Sequence, residues 1–285
     1  MRNGNYPLIS RSIWLYDPSM ANKCAFCPQD AVEHGGEHVW DDWLNRSFSV
    51  TKHQIRYSAT SGKSREYNTR KLKEKLAVVC HDCNSGWMSQ ITKRTKIAFE
   101  AVIVERRPLC ILPSGIALLA AFTFMKAAVG ATDIAQNDEA FFTRAQRERF
   151  RKSLAVPEFG VRMWIGAFQG KALHGGRFVP ATLSTDEPQL RGIEYFTFTY
   201  LVGHLVLQLL AGRFKDVRQR RHRPLPMLRP DPFWDEGCIQ FWPPTNVSGI
   251  TWPPAKYFDD SGLQDFIDRF KLPINLPKGF RAISL

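Results

Sequence analysis

Four cysteines in two close pairs constrain this chain most: Cys24-Ala25-Phe26-Cys27 and Cys80-His81-Asp82-Cys83. Two C-x2-C turns supply four thiolates, the number that a closed tetrahedral zinc site takes. Thiolate is soft and zinc has no geometric preference of its own, so the set selects zinc in a reducing cell. A gap of 52 residues separates Cys27 from Cys80. Loop closure adds only ~0.6 kcal/mol per doubling of length, against roughly 10–16 kcal/mol returned by zinc binding. Cys24, Cys27, Cys80 and Cys83 are therefore expected to hold one structural zinc. Such a site has no open position and would not activate water. Two other readings stand beside it: a redox dithiol, which wants a neighbouring βαβ pattern that the sequence lacks, and two unrelated core pairs. Cys110 and Cys238 have no paired spacing and read as buried thiols.

The 285 residues are 44% hydrophobic and 12% aromatic, which excludes disorder as a description of the whole chain. The expected class is α+β. The N-terminal stretch lacks the apolar segment of a signal peptide. The most apolar run, residues 115–130, rises roughly 24 Å as a helix, short of a ~30 Å bilayer core. It reads as a buried core helix. A cytosolic protein without membrane association is expected, with the cysteines reduced.

The net charge of +12 points to an anionic partner, nucleic acid first. From Arg46 to Lys96, 12 basic residues face only Glu66, Glu74 and Asp82, an excess of +9. Arg65, Arg70, Lys71, Lys73, Lys75, Lys93 and Arg94 are the candidates for phosphate contacts, which position a nucleic acid without reading its bases. The alternative is a solvated loop. A second cluster, Arg218, Arg220, Arg221, His222 and Arg223, is balanced between the same two readings.

The chain divides by chemistry near residue 110. Residues 1–110 hold five of the six cysteines, and residues 111–285 form a mixed α+β domain of unassigned role. Residues 50–70 read as a long polar loop. Leu76–Val79 reads as a short strand, and Asn84–Glu100 as a helix. Asn137-Asp138-Glu139 is a plausible helix start. Residues 160–166 alternate like a strand, Ile193–Leu210 like a hairpin around Gly203, and Asp260–Phe270 like a last helix.

Between the knuckles lies Gly36-Glu37-His38-Val39, and directly after the second comes Asn84-Ser85-Gly86-Trp87-Met88. C-x2-C, then acidic-His-apolar, then C-x2-C-Asn resembles the HNH endonucleases, the ββα-metal or His-Me finger nucleases. The likeness covers about residues 20–100. It implies an N-terminal zinc-clamped ββα-metal domain, and three catalytic residues: His38 as general base, with Glu37 and Asn84 binding a catalytic divalent metal, Mg²⁺ or Mn²⁺. An unperturbed histidine is substantially neutral at physiological pH, as a base must be. Carboxylate and carbonyl oxygen suit a hard cation.

The chain departs from the family pattern in three places. Glu37 stands where aspartate is common, and Asn84 where many members have histidine. The middle asparagine is missing before the second knuckle, with Asn68 as a substitute by proximity only. Each residue also has a plainer reading: His38 as a strand histidine, Glu37 as a surface ion-pair partner, Asn84 as an N-cap, Trp87 as core. His81 reads as solvated or supporting, and His34 and His53 as loop residues.

The expected activity is phosphodiester hydrolysis, DNA before RNA, in a prokaryotic defence, mobile-element or phage setting. Restraint would come from oligomerisation or a protein partner. The rivals are a catalytically inactive zinc-dependent DNA-binding module or subunit of a larger assembly, and a regulatory protein whose residues 111–285 recognise a partner.

Overall fold

The computed structural model describes residues 23–31, 36–48, 53–58, 64–69, 72, 75–135, 140–157, 160–171, 174–185, 193–214, 237–245, 248–268 and 280–283. Expectations for His34, Arg70, Lys71, Lys73 and the basic cluster at 218–223 lie outside these residues. The class is α+β, with the four cysteines gathered near the N-terminus.

The first region contains β1 (Glu37–His38), α1 (Leu44–Ser47), β2 (His53–Ser58), β3 (Ser64–Thr69), β4 (Lys75–Leu76), α2 (His81–Cys83) and α3 (Ser89–Glu105). A widened turn, Asn84–Met88, joins α2 to α3, with the Ser89 N–H donating back to the Asn84 carbonyl. Then come β5 (Leu109–Ile111), α4 (Pro113–Ile134), α5 (Arg144–Ser153), β6 (Val161–Ala167), β7 (His174–Thr185), β8 (Ile193–Val202) and β9 (Leu205–Phe214). The described chain closes with β10 (Cys238–Trp242), β11 (Ile250–Trp252), α6 (Asp260–Asp268) and β12 (Phe280–Ile283).

Eight strands form one sheet in the order β10-β6-β9-β8-β7-β2-β3, with β12 also on β7. Its pairings are antiparallel except β2 with β7. Alternation along β8 and β9 places side chains on both faces. Phe196, Phe198, Tyr200, Leu207 and Leu209 join the main core with α4, while Tyr195, Leu201, Val206 and Leu210 pack with Leu263 and Phe266 of α6. Burial on both faces explains why β8 and β9 read as near-continuous apolar runs. The hairpin between them turns at Gly203, whose φ is +56° and whose added Cβ would lie 2.1 Å from the Ile103 carbonyl oxygen. Only glycine suits that backbone and that approach.

Several expectations change. Residues 50–70 are not simply a loop, since β2 and β3 form a hairpin that extends the large sheet. Their charged residues hid the period-two pattern, and β3, at the end of the strand order, is of the edge kind that commonly carries such charge. The strand before Cys80 is only Lys75–Leu76. The start expected at 137–139 lies outside the described residues, and α5 begins at Arg144, behind a reciprocal cap between Thr143 and Gln146. The apolar helix runs for 22 residues, Pro113–Ile134, roughly 33 Å at 1.5 Å per residue. Length alone would let it cross a bilayer. Its most apolar window is 78% buried inside the protein, so packing assigns it to the core. Cys110 is exposed, against expectation, whereas Cys238 is buried.

The core runs across residue 110. Cys24, Phe26, Trp40 and Val79 belong to the same buried cluster as Phe122, Phe150 and Tyr200. The change of chemistry at that point is not a break in packing.

Candidate functional site

Both knuckles are built from backbone first. The Cys24 N–H donates to the Gln29 carbonyl at 2.8 Å, closing the first turn. The Ala25 N–H donates to the Val78 carbonyl at 2.7 Å, tying that turn to the segment entering the second. Phe26 N–H points at Cys24 Sγ and Cys83 N–H at Cys80 Sγ, each at 3.5 Å. All four sulfurs are buried and lie within 4.8 Å of one another. Cys27 to Cys80 is 3.5 Å and Cys83 to Cys27 is 3.7 Å. A tetrahedron with Zn–S near 2.3 Å has sulfurs about 3.8 Å apart. The four residues therefore fit zinc in number, chemistry and spacing, with no position left open. A hydrogen bond from Cys83 brings Cys24 down to about 4, helped by the Phe26 and Cys80 backbone, against burial. Its donor, Cys83, is pushed up by the same contact and by burial. One sulfur of the set thus favours the thiolate that a metal requires.

The second knuckle leads directly to the candidate catalytic residues. Asn84 follows Cys83, and its Nδ2 donates to the Gly36 carbonyl at 3.1 Å. Helix capping falls to Cys80, whose sulfur accepts from Cys83 N–H, so Asn84 bridges to the strand instead. That strand, β1, pairs with β4 as Glu37 with Leu76 and His38 with Lys75. The approach is close: a Cβ on Gly36 would lie 2.4 Å from the Leu76 carbonyl oxygen. Gly36, Glu37, His38 and Asn84 therefore form one small unit beside the cysteine cluster. His38 is half-buried. Burial lowers its pKa first, and the charges of Lys75 and Lys126 lower it further, leaving a neutral imidazole at physiological pH.

Glu37 faces something the sequence reading did not include. The Lys126 ammonium, from the middle of α4, sits 2.5 Å from Glu37 Oε1 and 2.8 Å from Asp41 Oδ1. It also donates to the His38 carbonyl at 2.7 Å. The three side chains are 4–8% exposed. Three acceptors satisfy the three protons of one ammonium. Burial pushes Lys126 down, but the Asp41 and Glu37 charges more than offset it, and its pKa ends above the ordinary lysine value. Burial pushes Glu37 up, partly countered by Lys126. Tyr200 completes the grip by donating to the Val39 carbonyl at 3.1 Å. As placed, Glu37 does not fit a ligand for a divalent metal, because its Oε1 holds an ammonium inside the protein.

Of the expected phosphate contacts, Lys75, Lys93 and Arg94 are exposed, the last two on α3. Arg65 and Asn68 lie on β3, paired through their backbones with Tyr57 and Gln54 of β2. That places Asn68 in the large sheet and not in the β1–β4 pair. His53 begins β2, and His81 is exposed. Trp87 packs at 5.0 Å edge-on to Phe26 and at 5.7 Å to Phe150, which makes it core.

Three buried charged residues were missed as partners: Lys126, Asp41 and Arg147. Arg147 is buried, donating from Nε to the Ala25 carbonyl at 2.7 Å and from Nη1 to the Phe142 carbonyl. The visible signal for Lys126 was a single charge inside an apolar helix, a position that demands a partner. Arg147 carried no comparable signal among the neighbouring charges of α5. Comparison of the chain with known protein families, curated proteins and solved structures found no match.

Proposed function

We propose that this chain is an HNH-type endonuclease that hydrolyses phosphodiester bonds, DNA before RNA, with His38 as general base. The supporting observation is the bond from Asn84 to the Gly36 carbonyl, which joins the residue after the second knuckle to the strand carrying His38. A neutral, half-buried imidazole could take a proton from a water attacking phosphorus. Lys75, opposite His38 in the β1–β4 pair, adds positive charge for the phosphate. Lys93 and Arg94 would hold flanking backbone. The four-cysteine cluster would bind one structural zinc and keep Asn84 beside the strand. A divalent metal, Mg²⁺ or Mn²⁺, would stabilise charge on the phosphate and leaving oxygen. Glu37 does not fit as its ligand, so the proton step is assigned to His38 without it. The expected setting is the cytosol, with a partner or oligomer restraining the activity.

One observation favours a second reading, an inactive zinc-dependent DNA-binding module: the Glu37 carboxylate is engaged by Lys126. The test is supercoiled plasmid incubated with purified protein and Mg²⁺, Mn²⁺ or chelator, comparing wild type with His38→Ala. Both proteins are first checked for one bound zinc. Nicking by wild type that a folded, zinc-loaded His38→Ala lacks supports the nuclease. Plasmid binding without cleavage under every condition supports the binding module.

A further inference from the structure

Among the described residues, two Lys or Arg side chains are buried, Lys126 and Arg147. Lys126 has its two carboxylates. No carboxylate bonds to Arg147 among the described residues: it donates to two backbone carbonyls, those of Ala25 and Phe142, while its neighbour Glu148, whose charge also favours the guanidinium, pairs with Arg144. Carbonyls satisfy hydrogen bonds but do not cancel charge, and a buried cation needs an anion. Ala25 lies inside the first knuckle, between Cys24 and Cys27, so the guanidinium is held against the turn that carries two of the four sulfurs. Helix α5 also presses Phe150, one turn on, against Phe26 of the same knuckle at 6.4 Å and against Trp87 at 5.7 Å. Four thiolates around one divalent zinc leave two excess negative charges, and these would sit among apolar side chains. The structure thus places a buried cation to which no carboxylate bonds beside a cluster that would carry excess negative charge with zinc bound.

We infer that Arg147 is the countercharge of the four-cysteine zinc centre, so that zinc retention depends on α5, whose Arg147 is 122 positions from Ala25 in the chain. The inference rests on the zinc reading and not on the nuclease reading. Arg147 is a positioning residue. It touches the Ala25 carbonyl, not the metal, and lowers the electrostatic penalty of the thiolates. Groups of this kind around metal ligands typically change metal affinity about 10–100-fold.

The test uses the full-length protein, with zinc affinity measured by competition against a chromogenic chelator. Arg147→Gln keeps an N–H donor for the carbonyls and removes the charge. Arg147→Lys keeps the charge. Arg149→Met, on the exposed side of the same helix, serves as control. We expect zinc affinity about 10-fold or more weaker in Arg147→Gln, near wild type in Arg147→Lys, and unchanged in Arg149→Met. The effect should persist in high salt, because buried charges are poorly screened. If Arg147→Gln holds zinc like wild type, or Arg147→Lys loses it as Arg147→Gln does, the countercharge role is overturned. Circular dichroism on each variant shows whether the fold is intact. A misfolded Arg147→Gln beside a folded, zinc-tight Arg147→Lys still supports the charge, and a misfolded Arg147→Lys overturns it. Wild type purified without zinc, and unable to bind it when offered, rejects the zinc reading itself.

Discussion

Lys126 Nζ lies 2.5 Å from Glu37 Oε1, although the two residues are 89 positions apart in the chain. The contact joins the core helix of the second region to the strand that carries His38. It also decides what Glu37 can do, since a carboxylate that neutralises a buried ammonium is held by more than its own backbone.

The first prediction concerns that ammonium. Lys126→Met would strand two buried carboxylates and should cost about 3–5 kcal/mol of stability, the usual penalty for breaking a buried pair from one side. Glu37→Gln/Asp41→Asn/Lys126→Met removes all three charges at similar volume and should recover most of the loss. Urea denaturation of the three proteins measures both effects. A Lys126→Met protein as stable as wild type would show that the triad is not formed in solution.

Glu37 can be tested separately through metal dependence. If its role is to hold Lys126, Glu37→Gln lowers stability but leaves the Mg²⁺ or Mn²⁺ concentration for half-maximal plasmid nicking where wild type has it. A large upward shift in that concentration, in a folded and zinc-loaded protein, would restore Glu37 as a metal ligand.

Asn84→Asp separates bridge from ligand in the same manner. Aspartate keeps an oxygen for a metal but loses the donor to the Gly36 carbonyl. The bridging role predicts reduced stability, about 1–3 kcal/mol where a buried acceptor loses its partner. Thermal melting of Asn84→Asp against wild type measures it, and an unchanged midpoint would refute the bridge.

Acid should weaken the fold partly through His204. Its Nδ1 lies 3.1 Å from the Phe168 carbonyl. Burial lowers its pKa, opposed by that bond and reinforced by Arg106. A histidine held below its unfolded value of about 6.5 binds more protons unfolded than folded. Its stabilising contribution is therefore complete above that value and lost as pH falls through the folded pKa. His204→Gln should show a shallower fall in unfolding free energy as pH drops below about 6.5. Equal slopes for the two proteins would count against the shift.

Removing zinc should loosen more than the knuckles. Cys27 and Cys80 belong to the main core together with Phe122 and Tyr200. Cys27→Ser is expected to bind less than one zinc and to speed proteolysis within residues 23–105. Retention of full zinc and wild-type protease resistance would argue against a four-cysteine centre.

The sequence by itself determined what depends on short spacing. Two residues between cysteines put both sulfurs on one turn, so a four-sulfur cluster was readable from Cys24, Cys27, Cys80 and Cys83, and the structure assembles it. The hairpin at Gly203 was legible because β8 and β9 are nearly continuous apolar runs around one glycine. The tertiary structure decided the rest. No local pattern says that Lys126, one charge in an apolar helix, meets Glu37 and Asp41, or that Arg147 reaches the first knuckle from α5. Polar composition hid β2 and β3 because the large sheet, not their own side chains, gives those strands a neighbour to pair with. Spacing along the chain could specify a turn that holds four sulfurs. Which buried charges answer one another depends on how helices pack tens of residues later, and that is set by the three-dimensional arrangement of the core.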